Sequence, residues 1–198
     1  MGLEIIKEIN ELWEPVYPHL AQHIKELYPL RGGKILDIGP FSGVIFSLMK
    51  EGVGDRFAIA SFPSGMREFF LEQAEKAGAK DKIEVIETDP TLCGIQEGTV
   101  DLVTFRGAFF FPSLFDADLG SVYRVLKAGG LGFVGGGFGK YTPHSVILEL
   151  GKRSRELNLN IGKVEISEQM LRENIAESRL AAHARVVDEG GLWVLIKK

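Results

Sequence analysis

Apolar residues fall at helical spacing over residues 3–13, at Leu3, Ile5, Ile6, Ile9, Leu12 and Trp13. Pro15 and Pro18 interrupt that pattern, because proline lacks an N–H and crowds the preceding turn. A second helix is predicted over about residues 19–27, stopping near Pro29. KILDIG then reads as a first strand, and GVIFSLMKEG as a short helix closed by Gly52. RFAIASF predicts a second strand, and SGMREFFLEQAEKAG a helix that stops at Gly78. KIEVIETD and TVDLVTFRG predict strands three and four. FDADLGSVYRVLKAGG predicts a helix ending in a glycine pair, and LGFVGGGF the fifth strand. TPHSVILELGKRSRELN reads as a helix with Thr142 as cap and Pro143 in the first turn. ISEQMLRENIAESRL is a further helix, capped by Ser167. AHARVVDEGGLWVLIKK predicts two strands around the turn Asp188, Glu189, Gly190 and Gly191.

Five strands alternating with helices predict a parallel sheet covered on both faces. The closing hairpin adds an antiparallel strand. A length of 198 residues suits one domain. Residues 1–30 are expected to be an N-terminal helical extension, and residues 31–198 the α/β domain. Hydrophobic residues are 45% and charged residues 25%, an ordinary globular balance. The net charge of −4 disfavours non-specific nucleic-acid binding, which needs a basic face. Cys93 is the one cysteine, so an intrachain disulfide is excluded. No charged-then-apolar leader opens the chain and no apolar run approaches a bilayer span. These features predict a cytoplasmic chain that binds neither membrane nor nucleic acid.

In open α/β sheets, ligands bind beyond the carboxyl ends of the strands, where strand order reverses. That rule selects residues 37–43, residues 60–63, Asp89 and Pro90, Arg106 and Gly107, and residues 135–140. In the first turn, Gly39 and Gly43 allow close backbone approach. A helix starting near Ser42 points free N–H groups at the same place, which favours a carboxylate or phosphate.

The segments ILDIGPFSG, IETD, VDLVTFRGAFFF and VYRVLKAGGLGFVGGG resemble those of the class I S-adenosylmethionine-dependent methyltransferases of the small-molecule type, with the similarity covering residues 34–139. The resemblance implies a Rossmann-like seven-stranded sheet with strand seven antiparallel, matching the count of five strands plus a hairpin. It implies that Asp37 and the loop of Gly39, Pro40, Phe41, Ser42 and Gly43 hold the methionine end of S-adenosylmethionine. Ala60 and Ser61 would face the ribose, and Asp89 with Pro90 the adenine. Arg106 and Gly107 would flank the methyl donor. The fourth segment is mainly a fold marker, because its residues pack and turn. Two positions depart from the family. Phe41 stands where glycine is common, and Ala60 stands where an acid usually receives the ribose hydroxyls.

Arg106 is also a candidate for holding a substrate carboxylate or phosphate with its forked guanidinium. Phe109, Phe110 and Phe111 suggest core packing or a pocket wall. His19 and His23 have helical metal-ligand spacing, but no cysteine or carboxylate motif completes a site, so no metal is expected. The resemblance implies that the N-terminal helices cover the strand ends as a lid, with Trp13, Tyr17 and His19 lining an acceptor site. Lys140, Tyr141 and His144 follow strand five near the expected pocket mouth, and His144 has the chemistry of a general base. Cys93 has no cation close by and is not expected to be a nucleophile. The predicted function is methyl transfer from S-adenosylmethionine to a small-molecule acceptor. The alternative is a non-catalytic relative whose altered pocket binds another ligand or a protein. A dinucleotide oxidoreductase would expect three glycines in the first turn and an acid after strand two.

Overall fold

The computed structural model describes residues 2–198. One seven-stranded sheet has the order β3-β2-β1-β4-β5-β7-β6. Its strands are β1 (Lys34–Ile38), β2 (Arg56–Ser61), β3 (Ile83–Glu87), β4 (Val100–Arg106), β5 (Leu126–Gly137), β6 (Ala184–Val187) and β7 (Gly191–Lys197). Neighbours among β1 to β5 pair in parallel, while β7 pairs antiparallel with both β5 and β6. Strand order reverses between β1 and β4, so the crevice beyond their carboxyl ends is where a ligand belongs.

The helices are α1 (Gly2–Leu12), α2 (Tyr17–Leu27), α3 (Val44–Lys50), α4 (Met66–Lys76), α5 (Leu119–Val125), α6 (His144–Asn160) and α7 (Glu168–Glu177). Pro18 does not delay α2, which begins at Tyr17 with proline in its first turn. There the missing N–H is one the helix would leave unpaired anyway. Gly78 lies just past α4 at φ +64°. Ser167 caps α7 by accepting the Met170 N–H at 3.2 Å. Thr142 does not cap α6; its hydroxyl donates to the Phe138 carbonyl.

The helix predicted through Gly130 is much shorter. Asp118 sets its start by accepting the Ser121 N–H at 3.0 Å. Its end is set by sheet pairing, because Leu126 sits opposite Val100 and already belongs to β5. The register then shifts, and Leu131 faces Leu102 after an excursion through the glycine pair.

Ile35, Leu36 and Ile38 of β1, Leu102, Val103 and Phe105 of β4, and Phe133 and Val134 of β5 form the centre of the buried core. Each contributes on the order of 1.5–3 kcal/mol by leaving water. α2 packs on α3 and α1 on α6, so both N-terminal helices lie across the end of the sheet that carries the crevice.

Candidate active site

Asp37, next to last in β1, lies in the core and is 0% exposed. Its Oδ2 accepts the N–H of Gly43 at 2.9 Å and of Ile45 at 3.3 Å, and its Oδ1 accepts the Thr104 hydroxyl at 2.7 Å. The carboxylate therefore occupies the N-terminus of α3 itself and ties β1, β4 and the glycine turn together. Burial pushes its pKa up to about 6, against the lowering effect of these hydrogen bonds and of Arg106. Gly39 turns the chain at φ +90°. A Cβ there would lie 2.9 Å from the Phe105 ring and 3.3 Å from the Phe62 ring.

The Phe41 ring is 1% exposed and lies tilted on Phe111 at 4.7 Å. It fills the space beside Gly107, where an added Cβ would meet it at 2.6 Å. Arg106 leaves β4 and bonds through Nε to the Phe41 carbonyl at 3.2 Å and through Nη2 to the Tyr17 hydroxyl at 3.0 Å. Tyr17 in turn donates to Asn10 Oδ1 at 3.2 Å, and Asn10 Nδ2 donates to the Pro40 carbonyl at 2.7 Å. Burial raises the Tyr17 pKa, partly offset by Arg106, so the phenol stays protonated. α1 and α2 are thus latched onto the glycine turn through buried polar groups.

On the β5 side of this latch lies a chamber of about 330 Å³. Ile9, Trp13, Phe41, Phe110, Phe111 and Phe138 give it apolar walls. Arg106, Gly107, Ser154 and Asn158 add polar groups, and Arg155, Lys163 and Glu165 stand on its rim. Trp13 stacks on Phe138 at 4.7 Å and donates its indole N–H to the Ser154 hydroxyl at 3.0 Å.

The expected donor residues are brought to the carboxyl ends of β1 to β4, though with different surroundings. Pro40, Ser42, Gly43, Ala60 and Gly107 are buried. Ser61 is buried and its hydroxyl has no partner. Asp89 is exposed, and hydrogen bonds from Thr91 hold its carboxyl below the usual range; Pro90 beside it is half-buried. Phe62 after β2 packs edge-on against Phe115 at 5.4 Å and Phe105 at 6.0 Å.

Among the acceptor candidates, Arg106 lines the chamber and Tyr17 braces it from behind. His19 is half-buried outside the chamber walls. Tyr141 is held by Glu26 of α2, and His144 is exposed at the start of α6; neither lines the chamber. Lys140 pairs with Glu26 at 2.6 Å. His23 is buried, and its pKa is lowered by that burial and by Lys140. Cys93 is exposed. Sequence reasoning missed Asn10, Thr104 and Ser154. Asn10 alone left a signal, as a polar residue on the apolar face of α1.

A family model described as a methyltransferase domain matches residues 36–134, half of the chain. The family match and the fold define the class of S-adenosylmethionine-dependent methyltransferases. This chain belongs to the methyltransferase-domain family. A structure from Methanococcus maripaludis, assigned as an S-adenosyl-L-methionine-dependent methyltransferase, is 25% identical with a TM-score of 0.78. That likeness covers 100% of this chain and 92% of the other. A SAM-dependent methyltransferase from Aquifex aeolicus shares the fold at 17% identity and TM-score 0.62, covering 96% of each chain. So does geranyl diphosphate C-methyltransferase from Streptomyces coelicolor, at 14% identity and TM-score 0.55, covering 84% of this chain and 73% of that one. No curated protein matches the sequence. Among the described residues no helix is long and apolar enough to cross a membrane.

S-adenosylmethionine is the cofactor of this class, and the residues present fit it chemically. The Ser61 hydroxyl at the end of β2 is buried without a partner, so it is free to accept a hydrogen bond from a polar ligand group. Gly39 lets the chain turn at φ +90°, with the Phe105 and Phe62 rings packed against it.

Proposed function

We propose that the chain transfers a methyl group from S-adenosylmethionine to a small, largely apolar acceptor held in the chamber beside Phe41 and Gly107. The observation that carries this reading is the chamber itself. Its volume of about 330 Å³ lies in the range of small-molecule sites. Its walls include one residue from the glycine turn and two from the end of β4. When bound, the cofactor supplies an electrophilic methyl group.

The chain's own residues do the rest by positioning. Gly39, Pro40, Phe41, Ser42 and Gly43 form the donor's bed, Ser61 receives a ribose hydroxyl beside Ala60, and Asp89 with Pro90 marks the adenine end. Arg106 and Gly107 stand between donor and acceptor. Residues 1–30 act as a lid, because Asn10, Tyr17 and Trp13 close the bed and the chamber together and exclude water. Phe62 and Phe105 close over Gly39, so donor entry displaces their rings. Holding donor and acceptor in line supplies much of the rate when the acceptor is already nucleophilic. This accounts for a site built without paired carboxylates.

Gly151 separates the two halves of this reading. It lines the chamber from α6, and an added Cβ would meet nothing within 4 Å. Gly151→Leu is therefore expected to fold at least as stably, since leucine favours a helix interior by roughly 0.5–1 kcal/mol over glycine. It should leave donor affinity unchanged and reduce methyl transfer to chamber-sized acceptors at least tenfold. Labelled-methyl transfer over a panel of small apolar acceptors, run beside donor titration, is the check. Equal transfer by the two proteins would place the acceptor elsewhere.

A further inference from the structure

Arg106 carries more charge than the protein uses. A guanidinium has five N–H donors. One at Nε goes to the Phe41 carbonyl and one at Nη2 to the Tyr17 hydroxyl. Its Nη1 makes no hydrogen bond to the described residues. The rings of Trp13, Tyr17 and Phe41 lie 4.5, 5.3 and 5.4 Å from its central carbon. Aromatic faces attract a cation without neutralising it.

The side chain is only 6% exposed, and buried charges are ordinarily paired. Yet no carboxylate of the described residues lies within 4.0 Å of it. Asp37 feels its charge from farther off, but the Asp37 oxygens are already engaged by Gly43, Ile45 and Thr104. The open part of Arg106 faces a chamber whose rim carries Arg155 and Lys163 against the single carboxylate of Glu165.

We infer that Arg106 is the receptor for a carboxylate on a ligand of the chamber, whose apolar body lies along Phe110, Phe111 and Phe138. The Nη1 end of the fork remains for this charge-assisted contact. The protein holds the fork rigid through Phe41 and Tyr17, so little ordering is left for binding. The inference rests on the function proposed above for its setting. Two ligands of such a site carry a carboxylate, the acceptor and the amino-acid end of the donor. The apolar walls favour the acceptor.

Calorimetric titration with 3-phenylpropionate and 3-phenylpropionamide tests this on the wild type, without relying on a variant that must fold. The acid should bind at least tenfold more tightly than the amide. Arg106→Gln should remove the difference, and Arg106→Lys should keep part of it. S-adenosylhomocysteine and methylthioadenosine form the second arm, since only the first carries the amino-acid carboxylate. If Arg106→Gln weakens S-adenosylhomocysteine tenfold and spares methylthioadenosine, Arg106 is a carboxylate receptor for the donor. Equal binding of acid and amide, with S-adenosylhomocysteine insensitive to Arg106→Gln, overturns the assignment. Acid selectivity that survives while S-adenosylhomocysteine fails to bind the wild type keeps this inference and overturns the methyl-transfer reading.

Discussion

Asp37→Ala costs the fold about 3–5 kcal/mol at neutral pH, measured by urea unfolding. The change strands the N–H groups of Gly43 and Ile45 and the Thr104 hydroxyl in a fully buried place. Each stranded group costs roughly 1–3 kcal/mol. Asp37→Asn keeps a carbonyl acceptor and loses less. The two variants also differ from wild type in pH dependence. The folded pKa of about 6 lies above the ordinary 3.8, so the folded protein binds more protons between those values. Stability from this group is therefore greatest below about pH 4 and falls as pH rises through about pH 6. The span corresponds to roughly 3 kcal/mol. Asp37→Asn flattens that segment of the profile. A wild-type profile already flat between pH 4 and 6 would show that Asp37 is not held as described.

Phe41→Gly produces two effects of opposite sign. The ring is 1% exposed, packs on Phe111 and occupies the space beside Gly107. Its loss destabilises the donor-free protein by about 3–5 kcal/mol, a fall in Tm of roughly 10 °C for a chain of this size. Glycine at this position also restores the residue common in the family and clears the turn. Donor affinity should then rise about tenfold, read by calorimetry on the folded variant below its Tm. A loss of stability with unchanged affinity would place the ring outside the donor's path.

Much of this architecture is legible in the sequence because the strands are short apolar runs bounded by turn residues. β1, β2 and β4 end within a residue or two of their expected positions, and the reversal between β1 and β4 marks the crevice where a ligand is expected. The misreadings have a common physical origin in distant partners. VLKAGG has helical spacing, yet Leu126 pairs with Val100 and starts a strand. Tyr141 follows β5 as the expected pocket residues should, but its hydroxyl is drawn to Glu26 on α2. Asp37 is expected at the donor site, and the structure shows its oxygens engaged by Gly43 and Ile45 in the adjoining turn and by Thr104 on β4. The bonds from Arg106 to Tyr17 and from Trp13 to Ser154 join residues far apart in the chain, and no local pattern announces them. Phe41 and Ala60 were visible as departures, and the structure adds what surrounds them. Phe41 is packed into the core, and Ala60 is buried beside the unpartnered hydroxyl of Ser61.

We propose that this methyltransferase fold takes S-adenosylmethionine on the glycine turn beneath its N-terminal helices. Titration of S-adenosylmethionine into a Trp193→Phe chain, whose one tryptophan is Trp13, followed by calorimetry and by fluorescence, with calorimetry repeated on the wild type, tests it directly. The prediction is saturable binding at one site, with a change in the emission of Trp13 as the helices over the turn adjust. Absence of heat and of any fluorescence change at millimolar cofactor would contradict it.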